Sequence, residues 1–133
     1  MNRVKAVACV IVTGMLAACA ASGSKSPQSA YASYHAYLVA TAMKSMQGKA
    51  PSEAQAALAN CYADFGLAQY NNLRQLELLD AAASSGDPAS SSVIQDADRD
   101  LQAAYGSTNA EHRSALQPYC EGAVDNYGQY LPD

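Results

Sequence analysis

At 133 residues, with 28 alanines, nine tyrosines, one phenylalanine and no tryptophan, the chain has room for one domain and not for a second. That length excludes the barrel and doubly wound architectures, whose active sites need a large parallel sheet and several loops. A net charge of -4 excludes the basic stripe on which phosphate binding depends, so nucleic acid is not an expected partner.

The chain opens with Arg3 and Lys5 on a short polar lead, then runs mostly apolar from Ala6 to Leu16, interrupted by Thr13 and Gly14. That run is too short to stay in a bilayer as a spanning helix, which needs about 20 residues. A charged lead, an apolar core and small residues behind it predict a secretion signal over residues 1–18. The next feature is Leu16-Ala17-Ala18-Cys19, which resembles the lipobox of bacterial lipoproteins. The resemblance implies that Cys19 is the lipidation site, carrying a diacylglycerol thioether on its thiol and, after cleavage in front of it, an acyl chain such as palmitate on its amine. Several acyl chains, at about 0.8 kcal/mol per buried methylene, anchor a protein stably where one chain does not. Ala20 stands where an aspartate would favour inner-membrane retention, so the resemblance implies the periplasmic face of the outer membrane in a Gram-negative cell. The competing reading of the same stretch is an ordinary signal peptide cleaved after Ala20. Residues 19–25 (CAASGSK) are small and polar, a flexible tether of at most about 25 Å.

Without residues 1–18, six basic and twelve acidic residues remain, a formal charge of -6. A chain this acidic gains nothing from anionic headgroups, which leaves lipid as its membrane attachment. Cys9 departs with the signal and Cys19 carries lipid, so two thiols remain, Cys61 and Cys120. In an oxidising exported compartment such a pair is expected to form a disulfide, the alternative being two buried free thiols. No CxxC pair, haem-attachment motif or zinc-like Cys/His spacing is present.

From residue 26 onward, proline and glycine punctuate the chain into four segments. Ser26-Pro27 offers a cap and a first-turn proline for a segment running to Gly48. Ala50-Pro51-Ser52 opens the second, with Ser52 and Gln55 at capping-box spacing, ending before Gly86. Asp87-Pro88 opens a third that ends near Gly106, and Thr108-Asn109-Ala110-Glu111 opens the fourth with the same capping-box spacing. The apolar residues recur three and four apart: Tyr31, Tyr34, Leu38, Ala42 and Met46 in the first segment. Leu58, Cys61, Phe65, Ala68, Leu76 and Leu79 follow in the second, with polar Asn72 on the same stripe. The third has Ile94, Ala97, Leu101 and Ala104; the fourth has His112, Leu116, Tyr119, Ala123, Tyr127 and Tyr130. Period-two alternation is nowhere sustained, and alanine favours helix. The expected fold over 26–133 is therefore all-α, a small antiparallel four-helix bundle tied by one disulfide. Pro118 must kink or split the fourth helix near Gln117.

Chemistry-bearing residues are sparse. Asp96, Asp98 and Asp100 have calcium-loop spacing, but Leu101 and Ser107 stand where such a loop needs glycine and a bidentate glutamate. They read instead as a solvated acidic face. His35 and His112 are the only histidines and no third ligand is suggested, so neither a metal nor another cofactor is expected. No Ser/His/Asp constellation or H-E-x-x-H motif supports catalysis. Tyrosine is the enriched feature. Tyr31, Tyr34 and Tyr37 read either as boundary packing in place of phenylalanine and tryptophan or as a binding face with large area and hydrogen-bonding tips. The expected function is a non-enzymatic, lipid-anchored envelope protein that binds another envelope protein as an accessory or assembly factor. The alternatives are a periplasmic inhibitor or immunity protein, and a carrier of a small apolar or haem-like ligand between the helices.

Overall fold

The computed structural model describes residues 27–133; the secretion signal, the lipobox with Cys19 and the tether lie outside the described residues. Pro27–Ala30 form a single helical turn. Tyr31–Asp133 form a body of their own, built from α1 (Ala32–Met46), α2 (Ser52–Ala68), α3 (Leu73–Ala83), α4 (Ser92–Tyr105), α5 (Asn109–Leu116) and α6 (Glu121–Tyr127). Two 3-10 turns, Pro88–Ser90 and Gly128–Tyr130, complete it, and no strand occurs among the described residues. The described residues are all-helical, as their periodicity implies.

Within Tyr31–Asp133 the expected segments appear as six helices, because the second and the fourth break. The second does not run unbroken toward Gly86: α2 stops at Ala68 and α3 restarts at Leu73. Asn72, a polar exception on the apolar stripe, is the N-cap of α3. Its Oδ1 accepts from the backbone N–H of Arg74 at 3.0 Å and of Gln75 at 3.4 Å. A short amide side chain satisfies the first donors of a new helix, and so favours a restart over continuation. The fourth segment breaks at Pro118, where α5 ends at Leu116 and α6 begins after Cys120. Proline lacks the N–H that the ladder needs and crowds the preceding turn.

The other caps divide in the same way. Thr108 and Glu111 form the capping box their spacing implies, each side chain bonding the other's backbone N–H. Ser52 and Gln55 do not: Pro51 is the N-cap, and the Gln55 amide donates to Ala50 O at 2.7 Å. Asp87-Pro88 opens only a 3-10 turn, and Ser91 caps α4. The first turn of α1 has no local side-chain cap. It is capped in tertiary structure, by Asp80 of α3, whose Oδ1 accepts from Tyr34 N at 2.9 Å.

The core gathers on α2, which packs against α1, α5 and α6 and buries residues around most of its circumference, from Ala54 through Leu58, Cys61 and Phe65 to Leu67. Gly66 sets the approach of α1: a Cβ here would lie 2.6 Å from Leu38 Cδ1. Leu38, Leu58, Leu79, Ile94, Leu101, Leu116 and Val124 are fully buried. Three stripe positions miss. Ala68 and Ala104 are exposed, with Tyr105 buried in place of Ala104, and Tyr119 is exposed past the Pro118 break while Val124 faces the core. Cys61 and Cys120 are joined as a disulfide with Cα atoms 5.9 Å apart. It ties the middle of α2 to the N-cap of α6 across a sequence separation of 59, a constraint worth about 4 kcal/mol by loop entropy.

Candidate functional site

A cleft of about 350 Å3 opens between the second half of α1, the middle of α2, the end of α4, the start of α5 and the C-terminal tail. Its floor is apolar and aromatic, from Met46, Leu58, Tyr62, Tyr105 and Leu131, each of them buried. Its rim is polar, with Thr41, Ser45, Gln102, Ser107 and Asp133. The rings of the floor continue into a contacting aromatic series. The Tyr62 and Tyr105 rings meet edge to face at 4.9 Å, Phe65 lies 5.6 Å from Tyr105, and His112 stacks on Tyr105 at 4.0 Å. Burial pushes the Tyr62 phenol up to about 12, with the Asp98 carboxylate adding to it. It raises that of Tyr105 too, with Tyr62 adding to it. Both side chains therefore face the cleft as neutral hydroxyls.

The tail that closes one side is fastened to the beginning of α5. His112 is buried, with Nδ1 2.8 Å from Pro132 O and Nε2 3.0 Å from Gly106 O. The Asn109 amide donates to Gly128 O at 3.0 Å and Leu131 O at 2.9 Å, and its backbone N–H donates to Asp133 Oδ1 at 3.1 Å. Gly106 turns the chain from α4 into this corner at φ 90°, a left-handed conformation costly for any other residue. Glu111 fills the space beside it, its Oε1 accepting from Ser107 N at 2.8 Å and Thr108 N at 3.1 Å. Those two donors hold the Glu111 carboxyl below its ordinary pKa. The wall is built in advance of any ligand.

The tyrosines singled out by sequence lie elsewhere. Tyr34 is 0% exposed, while Tyr31 and Tyr37 are half-buried, so the three do not make a continuous outer face. Instead Tyr34 stacks with Tyr37 at 6.3 Å and meets Tyr70 edge-on at 6.5 Å. Tyr37 donates its hydroxyl to Asp98 Oδ2 at 2.9 Å. Asp98 thus leaves the solvated face on which the sequence puts it, whereas Asp96 stays there, paired with Arg99 at 2.9 Å. Burial raises the pKa of Asp98 against the opposing effect of the Tyr37 bond. Burial also drives the Tyr34 phenol far above its ordinary value, with the Tyr70 hydroxyl nearby adding to it. That Tyr34 hydroxyl is buried with no hydrogen-bond partner of good geometry among the described residues.

The histidines are engaged separately. His35 is buried and its Nε2 donates to Asp64 Oδ1 at 3.2 Å, whereas both ring nitrogens of His112 face backbone carbonyls. Among the described residues no group of three His, Cys, Asp or Glu side chains is placed to hold a metal ion, and no helix is long and apolar enough to cross a membrane.

The cleft itself is not legible in the sequence. Five separate segments contribute to it, and Thr41, Ser45 and Gln102 look like any polar helix face. The one available signal is that Tyr62 and Tyr105 fall at the edges of their stripes, where a bulky side chain faces partly away from the neighbouring helix. No family model, no curated protein and no solved structure matches this chain.

Proposed function

We propose that the chain is a non-enzymatic envelope lipoprotein, anchored through lipid on Cys19, whose helical body binds another envelope protein as an accessory or assembly factor. The observation that carries this reading is the lipobox Leu16-Ala17-Ala18-Cys19 behind a charged lead and a short apolar run. The Cys61–Cys120 disulfide supports it, because such bridges persist in oxidising, exported compartments. In this reading the six helices are an antiparallel four-segment bundle with two broken members. The pairing of His35 near the start of α1 with Asp64 near the end of α2 supports that arrangement.

Labelling with radioactive palmitate tests the anchor. The full chain is expected to take label and to fractionate with outer membranes, and Cys19→Ser to lose both. Undiminished labelling of Cys19→Ser would overturn the reading. A second reading, a carrier of a small ligand, is favoured by the cleft. Its haem-like form has less support, because His35 and His112 already bond to protein groups.

A further inference from the structure

We propose that the cleft selects a small organic monocation, an ammonium head on a short aromatic or aliphatic body. The inference rests on the carrier reading and goes beyond it in naming the charge and shape of what is carried. The floor comes first: Leu58, Tyr62, Tyr105 and Leu131 are apolar surfaces against which a compact hydrocarbon or ring is removed from water, and about 350 Å3 lies at the small end of ligand cavities. The rim decides the charge. Among the described residues the lining includes the Asp133 carboxylate and neither lysine nor arginine. An anion entering here would meet Asp133 with no compensating cation.

The polar groups on the rim point the same way. Thr41 Oγ1 donates its proton to Tyr37 O at 2.9 Å, and Ser45 Oγ donates to Ala42 O at 2.7 Å. Each hydroxyl has thereby spent its only donor on its own helix and has lone pairs left to offer. Asp133 accepts one bond from Asn109 N, and a carboxylate has capacity for several more. Thr41, Ser45 and Asp133 thus offer acceptors beside the donors of the Gln102 amide and the Tyr62 and Tyr105 hydroxyls, and the carboxylate among them suits an ammonium group with three N–H donors and no acceptor. Tyrosine rings on the floor add to this, because a ring face attracts a cation placed over it.

Isothermal titration of the full chain in phosphatidylcholine nanodiscs, with empty nanodiscs as blank, tests the proposal with three probes of one body: 2-phenylethylammonium, 2-phenylethanol and 3-phenylpropionate. The ammonium is expected to bind about tenfold tighter than the alcohol, the difference of one charge-assisted hydrogen bond, and the carboxylate is expected not to bind. Asp133→Asn keeps an acceptor for Asn109 and is expected to bring ammonium and alcohol to equal affinity. Ala42→Leu, which fills the cleft, is expected to abolish binding of both, with circular dichroism and urea midpoint checking that each variant is folded. Equal binding of ammonium and alcohol to the unaltered chain would overturn the charge selection and leave the carrier reading standing. Binding of none of the three would overturn both.

Discussion

Gly66 shows how much one residue decides. Within α2 a glycine costs the helix about 1 kcal/mol relative to alanine, so Gly66→Ala would stabilise an isolated helix. Here the added methyl would lie 2.6 Å from Leu38 Cδ1 and 3.4 Å from Leu101 Cδ1, so the end of the Leu38 side chain, which is fully buried, must shift against its neighbours to admit it. Overpacking of this kind costs about 1–3 kcal/mol, which outweighs the propensity gain. Gly66→Ala is therefore expected to lower the urea midpoint of unfolding, whereas in a Leu38→Ala background the same change is expected to raise it. An equal effect in both backgrounds would show that the contact does not set the spacing. Asp98 makes the complementary point about charge. Its neighbours Asp96 and Asp100 are exposed, while Asp98, four residues after Ile94 and three before Leu101, stands at the edge of the apolar stripe and turns inward to Tyr37.

At the scale of elements, the breaks matter more than the helices. Pro118 announces its break in the sequence, because a missing N–H interrupts a ladder whatever surrounds it. The α2–α3 break carries no proline or glycine. It rests on Asn72, whose side chain caps α3 but which, in a stripe of apolar residues, reads as one polar exception. Asn72→Ala is expected to cost about 1 kcal/mol in urea unfolding, and Asn72→Asp to restore most of it. A loss below a tenth of that size would mean that packing alone, through Leu76 and Leu79, places α3. The first turn of α1 is held differently again, by Asp80 from another helix, so α3 caps the start of α1. A tertiary cap has no sequence signature, since its two halves stand 46 residues apart.

For the whole molecule, the core is short of large aliphatic residues and is completed with tyrosine. Tyr34, Tyr62 and Tyr105 are buried among leucines, and Ala54, Ala59, Ala63 and Ala97 let backbones come close around them. The phenols of Tyr34, Tyr37, Tyr62, Tyr70 and Tyr105 all have raised pKa values, burial being the first cause in each. An unfolded tyrosine ionises near pH 10, while these stay protonated in the fold to higher pH. A group whose folded pKa is raised contributes stability in full below the unfolded pKa and loses it as pH rises. Stability is therefore expected to fall steeply above about pH 10. In an alkaline titration, part of the phenolate absorbance is expected to appear only together with loss of the helical circular dichroism signal. Complete phenol ionisation in a chain of undiminished helicity would contradict the burial of these rings.

The sequence by itself determined the helical class, the capping box at Thr108, the split at Pro118 and the pairing of Cys61 with Cys120. Each follows from local backbone chemistry, or from there being two cysteines beyond the stretch that reads as signal and lipobox. Tertiary structure alone decided that Asp80 caps α1 from another helix and that a cleft stands between α1, α2, α4, α5 and the tail. Periodicity says which face of a helix is apolar, but not which other face it meets or how closely. A cavity is a mismatch between such faces, and it exists only once they have been brought together.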